Sequence, residues 1–79
     1  MSIARIRICG RVQGVFFRYS ATAVAKKLGI QCVAENLKDG SMRIDVSGSR
    51  ERLEKFLLWC NTGPPLAKVE RVEVSWISD

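Results

Sequence analysis

The sequence predicts an α+β sandwich of the split βαβ type, and three observations carry that prediction. Segments with apolar residues at every second position alternate with segments whose apolar residues recur every third or fourth. An Asp39-Gly40 pair, a strong hairpin signal, lies between two of the strand-like segments. Gly63-Pro64-Pro65 closes the second helical segment before a last alternating run.

Each element follows in order. Residues 3 to 9, IARIRIC, place Ala4, Ile6 and Ile8 on one face and Arg5 and Arg7 on the other, as in a half-buried strand. Over residues 17 to 28 the period changes. Phe17, Ala21, Val24, Ala25 and Leu28 share a helical stripe, Arg18, Lys26 and Lys27 lie off it, and Gly29 offers a stop. Residues 32 to 37, CVAENL, read as a second strand. After the KDGS turn, Met42, Ile44 and Val46 alternate with Arg43, Asp45 and Ser47 in a third. Ser49 can cap a second helix whose stripe is Leu53, Phe56, Leu57 and Cys60. In the last strand, roughly 68 to 76, Val72, Val74 and Trp76 are in phase; Val69 is not, which predicts a bulge or a late start. The order βαββαβ, with right-handed crossovers and one buried sheet face, favours a ferredoxin-like sandwich. Its sheet is four-stranded and antiparallel, with two helices on one face. That fold hosts many functions, so function must be read from the site.

With 79 residues, the chain is expected to form one domain, residues 1–79. Its hydrophobic fraction, 47%, is that of a globular protein. No apolar run approaches the ~20 residues of a membrane span. The N-terminus alternates apolar and charged residues where a signal peptide would be continuously apolar, so secretion is not expected. Cys9, Cys32 and Cys60 form no CxxC motif; they are expected to be small buried hydrophobes in a reducing, cytoplasmic setting. The formal charge is +5 with no histidine. Such a balance suits an anionic partner, and a solvated basic face accounts for it equally well.

The stretch GRVQGVFFR, residues 10 to 18, joins the first strand to the first helix. Gly10 and Gly14 permit backbone angles closed to other residues, so the loop can turn several N–H groups inward as an anion nest. The helix start adds its free amides and positive dipole end. Arg18, in the first turn, can present a bidentate fork to two phosphate oxygens. The spacing is not that of a Walker A loop, and no Gly-Lys-Ser/Thr follows.

GRVQGVFFR closely resembles the first signature of the acylphosphatases, G-x-V-Q-G-V-x-F-R, with Phe16 at its variable position. The resemblance continues through NLKDGS at 36 to 41, Gly48, and VERVEV at 69 to 74, and so covers nearly the whole chain. It implies a metal-independent hydrolase of the same fold, with no cofactor, that splits the carboxyl–phosphate bond of acyl phosphates into carboxylate and inorganic phosphate. It implies that the amides of Gln13, Gly14, Val15, Phe16, Phe17 and Arg18 bind the phosphoryl group. The Arg18 side chain is implied to hold that group, and Asn36 to orient the attacking water. A small-molecule acyl phosphate and inorganic phosphate are then the partners, with no nucleic acid and no membrane, and a monomer is expected.

The second signature departs from the family pattern. Cys32, Val33, Ala34 and Glu35 stand where a glycine, an aromatic, a small aliphatic and a basic residue commonly precede the asparagine. Strand alternation sends Glu35 to the face opposite Asn36, from where its field could still weaken dianion binding. Family members often continue into a further short strand that this sequence does not show, and an open sheet edge is expected. Two alternatives remain. One is a catalytically weak phosphate-binding domain of the same family, such as occurs within larger carbamoyl-transfer proteins. The other is an RNA-binding ferredoxin-like module, which would stack bases on strand aromatics that the first and third strands lack. Phe17 is expected in the core, Phe16 as a shield over the loop, and Trp59 and Trp76 as packing residues.

Overall fold

The computed structural model describes residues 1–78. Strand β1 (Ser2–Arg11), helix α1 (Phe17–Leu28), strands β2 (Gln31–Asn36) and β3 (Met42–Gly48), helix α2 (Arg50–Cys60) and strand β4 (Lys68–Ser78) follow in the predicted order. The strands form one antiparallel sheet in the order β2-β3-β1-β4, the ferredoxin-like arrangement.

The period-two pattern of β1 fixes which face is buried. Ala4, Ile6 and Ile8 pair with Val46, Ile44 and Met42 of β3 on one side and with Trp76, Val74 and Val72 of β4 on the other. Those β1 and β3 residues are buried. Phe17, Ala21 and Ala25 of α1 and Leu53, Phe56 and Cys60 of α2 cover them from the helical side. Burying a large side chain of this kind contributes about 1.5–3 kcal/mol. Phe17 meets Trp59 edge to face, ring centroids 5.2 Å apart, and Phe56 lies 5.8 Å from the same ring. The Arg50 guanidinium sits 3.7 Å over the Trp76 ring, a cation–π contact that joins α2 to β4.

The helix ends follow the sequence signals. Gly29 N–H donates to the Lys26 carbonyl (3.2 Å) and Ile30 N–H to that of Ala25 (3.0 Å), a Schellman closure of α1. Ser49 Oγ accepts from Arg52 N–H at 3.3 Å and so caps α2. That helix stops at Cys60, before Gly63-Pro64-Pro65 is reached, with Asn61 as its C-cap.

The bulge expected near Val69 is present. Cys9 pairs with Arg71 and the next residue, Gly10, with Val69, so Glu70 is passed over and Val69 returns to the core side. Strand β4 runs on to Ser78, past the predicted end at 76, and β2 begins at Gln31 and stops at Asn36. Of the three cysteines only Cys60 is buried; Cys9 and Cys32 are half-buried. Burial pushes the Cys60 thiol up to about 12 and the Cys32 thiol up to about 11, so both stay protonated.

Gly10 makes the bulge possible. It stands at φ 125, and a Cβ there would lie 2.2 Å from the Lys68 carbonyl oxygen. Gly10→Ala is expected to cost about 2–3 kcal/mol in urea unfolding, because backbone must move to admit the methyl. Gly14→Ala, at φ 73 with nothing within 4 Å of the added methyl, should cost only about 1 kcal/mol. Equal losses at the two sites would contradict this account.

Candidate active site

Past Arg11 the chain leaves the sheet. Val12 and Val15 are buried and anchor the loop from below. Between them, Gln13 turns its side chain sideways. Its Nε2 donates to the Leu37 carbonyl (2.8 Å) and to the Ser41 carbonyl (2.9 Å). Gln13 therefore ties the loop to the β2–β3 hairpin through both amide hydrogens. That tether was not legible in the sequence, where Gln13 stood only for its backbone amide.

The backbone then turns left-handed twice. Gly14 has φ 73, and Phe16 has φ 62 and ψ 24. Phe16 is the one non-glycine residue with positive φ among the described residues, an outlier for an aromatic side chain and worth about 1–3 kcal/mol of strain. The residue is 72% exposed, as suits a side chain outside the core. Strain of this kind clusters at functional sites. It also re-aims the chain: Phe17 enters the core, and the first helical bond runs from Ser20 N–H to the Phe16 carbonyl, 3.0 Å. Among the described residues, the N–H groups of residues 14–19 find no acceptor. They form a string of unpaired donors at a helix start, an arrangement that attracts anions.

A cavity of about 270 Å³ opens there. Gly14, Phe16, Phe17 and Arg18 line it from the loop and helix side, and Asn36 lines it from the end of β2. These predicted residues are brought together; Gln13 and Val15 are not on its wall, one engaged with the hairpin and the other in the core. Val12, Tyr19 and Met42 complete the lining and had no chemical signal to mark them. Asn36 pairs with Met42 and shares the helical side of the sheet with Cys32 and Ala34. Arg18 has no carboxylate partner among the described residues, so its charge is uncompensated.

Glu35 takes the opposite face, as alternation requires, and pairs with Arg43 at 2.7 Å. Its charge is thus both turned away from the cavity and balanced. The hairpin itself is braced by Asp39. That carboxylate accepts from the Ser41 hydroxyl, from Ser41 N–H at 2.9 Å and from Arg7. The two Ser41 donors, then Arg7, hold the Asp39 carboxyl down at about 2. Among the described residues no three His, Cys, Asp or Glu side chains gather as a metal site.

The sequence profile of the Acylphosphatase family matches residues 4–79. This chain belongs to the acylphosphatase family. An acylphosphatase of Thermococcus kodakarensis is 49% identical over 73 residues, which span 92% of this chain and 80% of that protein. The crystal structure of the acylphosphatase of Bacillus subtilis superposes with a TM-score of 0.93 at 34% identity, covering 96% of this chain and 84% of that one. A similar unit occurs inside full-length HypF, solved in a phosphate- and nucleotide-bound form. There the TM-score is 0.90 at 25% identity, over 99% of this chain and 10% of that one.

Two outcomes test the bracing of the site. Gln13→Leu removes donors from two carbonyls and is expected to cost about 1–3 kcal/mol in urea unfolding, and to weaken inorganic phosphate binding with it. Unchanged phosphate affinity would show that the tether does not shape the loop. Asp39 has a folded-state pKa below its unfolded one. Its stabilisation is therefore fully present above about pH 4 and is lost as pH falls toward 2. Urea midpoints measured from pH 5 to pH 2 should fall more steeply for the wild type than for Asp39→Asn.

Proposed function

We propose that this acylphosphatase-family chain, working as one domain over residues 1–79, hydrolyses acyl phosphates to a carboxylate and inorganic phosphate. The observation that carries the reading is the meeting of an uncompensated Arg18, a row of unpaired amides and Asn36 around one cavity. The amides of the loop and the Arg18 fork hold the phosphoryl oxygens, and charge stabilisation is what phosphoryl transfer chiefly needs. Asn36 can accept from and donate to a water molecule and so aim it at phosphorus. The water oxygen bonds to phosphorus as the bond from phosphorus to the acyl oxygen breaks. That electron pair leaves with the carboxylate. One water proton stays on the new P–OH and the other passes to a phosphate oxygen. A carboxylate with a conjugate-acid pKa of about 4–5 departs without a general acid, so the lack of histidine is no obstacle.

The open face of the sheet supports this reading over an RNA platform. Arg5 pairs with Asp45 at 2.8 Å, Arg43 with Glu35, and Arg7 with Asp39, and β1 and β3 carry no aromatic residue. No helix is long and apolar enough to cross a membrane among the described residues. The same reading takes the chain as a cytoplasmic monomer; three free cysteines suit a reducing compartment. The likeness to a tenth of HypF favours one second reading, a domain that binds phosphate but turns over weakly.

The test is benzoyl phosphate hydrolysis by the purified chain in the presence of EDTA. Turnover is expected in the wild type. Arg18→Gln should lose phosphate binding and nearly all activity, since a neutral amide cannot replace the charged fork. Asn36→Ala should lose about 10²-fold in kcat while inorganic phosphate still binds. Arg18→Gln retaining activity within a few fold would remove Arg18 from its role. Phosphate binding without turnover in the wild type would favour the second reading.

A further inference from the structure

The face of α1 that supplies Arg18 continues beyond the phosphate cavity. Arg18 and Tyr19 line that cavity and also a second, more open groove of about 520 Å³. Thr22, Ala23 and Lys26 of α1 and Ala34 of β2 form its other walls. Arg18, Thr22 and Lys26 follow one another at steps of four along the helix and so share one face. Eight residues at 1.5 Å each set the Cα atoms of Arg18 and Lys26 about 12 Å apart.

The charges at the two ends of the groove differ from those on the sheet. Most arginines on the sheet are neutralised by a neighbouring carboxylate, Arg5 by Asp45, Arg43 by Glu35 and Arg71 by Glu73. Helix α1 carries no Asp or Glu, and neither Arg18 nor Lys26 has an acidic partner among the described residues. Apart from Tyr19 beside Arg18, the side chains that line the groove between these cations are small. Thr22 donates its hydroxyl hydrogen to the Arg18 carbonyl at 2.9 Å, and Ala23 and Ala34 present methyl groups. The groove thus joins a phosphate grip to a second positive point across a short, weakly polar slot. Two uncompensated cations facing one groove favour a ligand charged at both ends.

Resting on the phosphate reading above, we infer that this groove holds the acyl group. Lys26 then selects acyl phosphates that bear a second anionic group on the order of 10 Å from the phosphorus. With the phosphoryl end at the loop and Arg18, the acyl body runs along α1 past Thr22 and Ala34 and brings its distal anion to Lys26. Lys26 is a specificity-determining residue here and takes no part in the bond changes.

The experiment uses two non-hydrolysable phosphonates and calorimetric binding to the intact chain. One is 4-carboxybenzoylphosphonate, with an anion at the far end of its ring; the other is 4-methylbenzoylphosphonate, its uncharged counterpart. The wild type should bind the carboxylate three- to five-fold more tightly, the scale of one exposed ion pair, and 1 M NaCl should erase most of that preference. Lys26→Gln should bring the ratio close to one. Lys27→Gln makes the same change in net charge nine residues from Arg18, about half a turn away, and should leave the ratio as it was. A wild-type ratio of one, no binding of either phosphonate, or an equal fall in both variants overturns the inference. Benzoyl phosphate hydrolysis is followed alongside. Turnover with a ratio of one overturns the acyl-group site alone. A preserved ratio without turnover overturns the hydrolase reading and leaves the two-ended anion site standing.

Discussion

The two hydrogen bonds of the Gln13 side chain hold the functional end of this molecule together. The buried Val12 and Val15 and the pairing of β1 with β3 set the β1–α1 loop beside the β2–β3 hairpin, and these two bonds are the side-chain hydrogen bonds that join them. With them, the segment that presents Arg18 and the strand end that presents Asn36 become walls of one cavity. Each bond contributes only about 0.5–1.5 kcal/mol net, and each gives a second donor to a hairpin carbonyl that already accepts a backbone N–H, Leu37 O from Gly40 and Ser41 O from Leu37. The tether is braced in turn. Asp39 gathers Ser41 and Arg7, and Ser41 supplies one of the carbonyls that Gln13 reaches. A polar chain of contacts thus runs from the open face of the sheet to the loop on its far side.

The loop is held under strain by that frame. An aromatic residue in the left-handed region is unfavourable on its own, and Phe16 has no side-chain cap bond to offset it. The residues on either side, Val15 and Phe17, are both buried and hold the chain at both ends of the turn. The gain is directional. The left-handed residue leads into the helix N-terminus, where the N–H groups of residues 14–19 have no protein acceptor among the described residues and Gly14, Phe16, Phe17, Arg18 and Tyr19 line one cavity. Preorganised donors of this sort need little rearrangement during reaction.

Charge is distributed to match. The formal surplus of +5 does not lie in the arginines of the open sheet face, most of which are answered by Asp39, Asp45, Glu35 or Glu73. Much of it belongs to α1, which has three basic residues and no acidic one. The helix that contributes Arg18 to the cavity therefore carries an uncompensated field along the groove beside it. Glu35, which by sequence stood next to Asn36 as a threat to anion binding, is removed by the pleat to the other face and paired with Arg43.

Element order, sheet faces and helix stripes were legible in the sequence because they depend on local period and turn chemistry. Alternation in β1 and β3, the Gly29 stop, the Ser49 cap and the phase slip at Val69 are each properties of a few adjacent residues. The signature GRVQGVFFR likewise placed Arg18 at a helix start, because loop and helix are contiguous there. What local pattern could not supply was the meeting of segments far apart in the chain. Gln13 reaches Leu37 and Ser41 across 24 and 28 residues, and Asn36 comes to the same cavity as Arg18 only after β2 has paired with β3. The left-handed Phe16 belongs with these, since its own propensity argues against that conformation and only packing on both sides imposes it. Periodicity determined which residues are buried; long-range hydrogen bonding and burial decided which polar groups face one another.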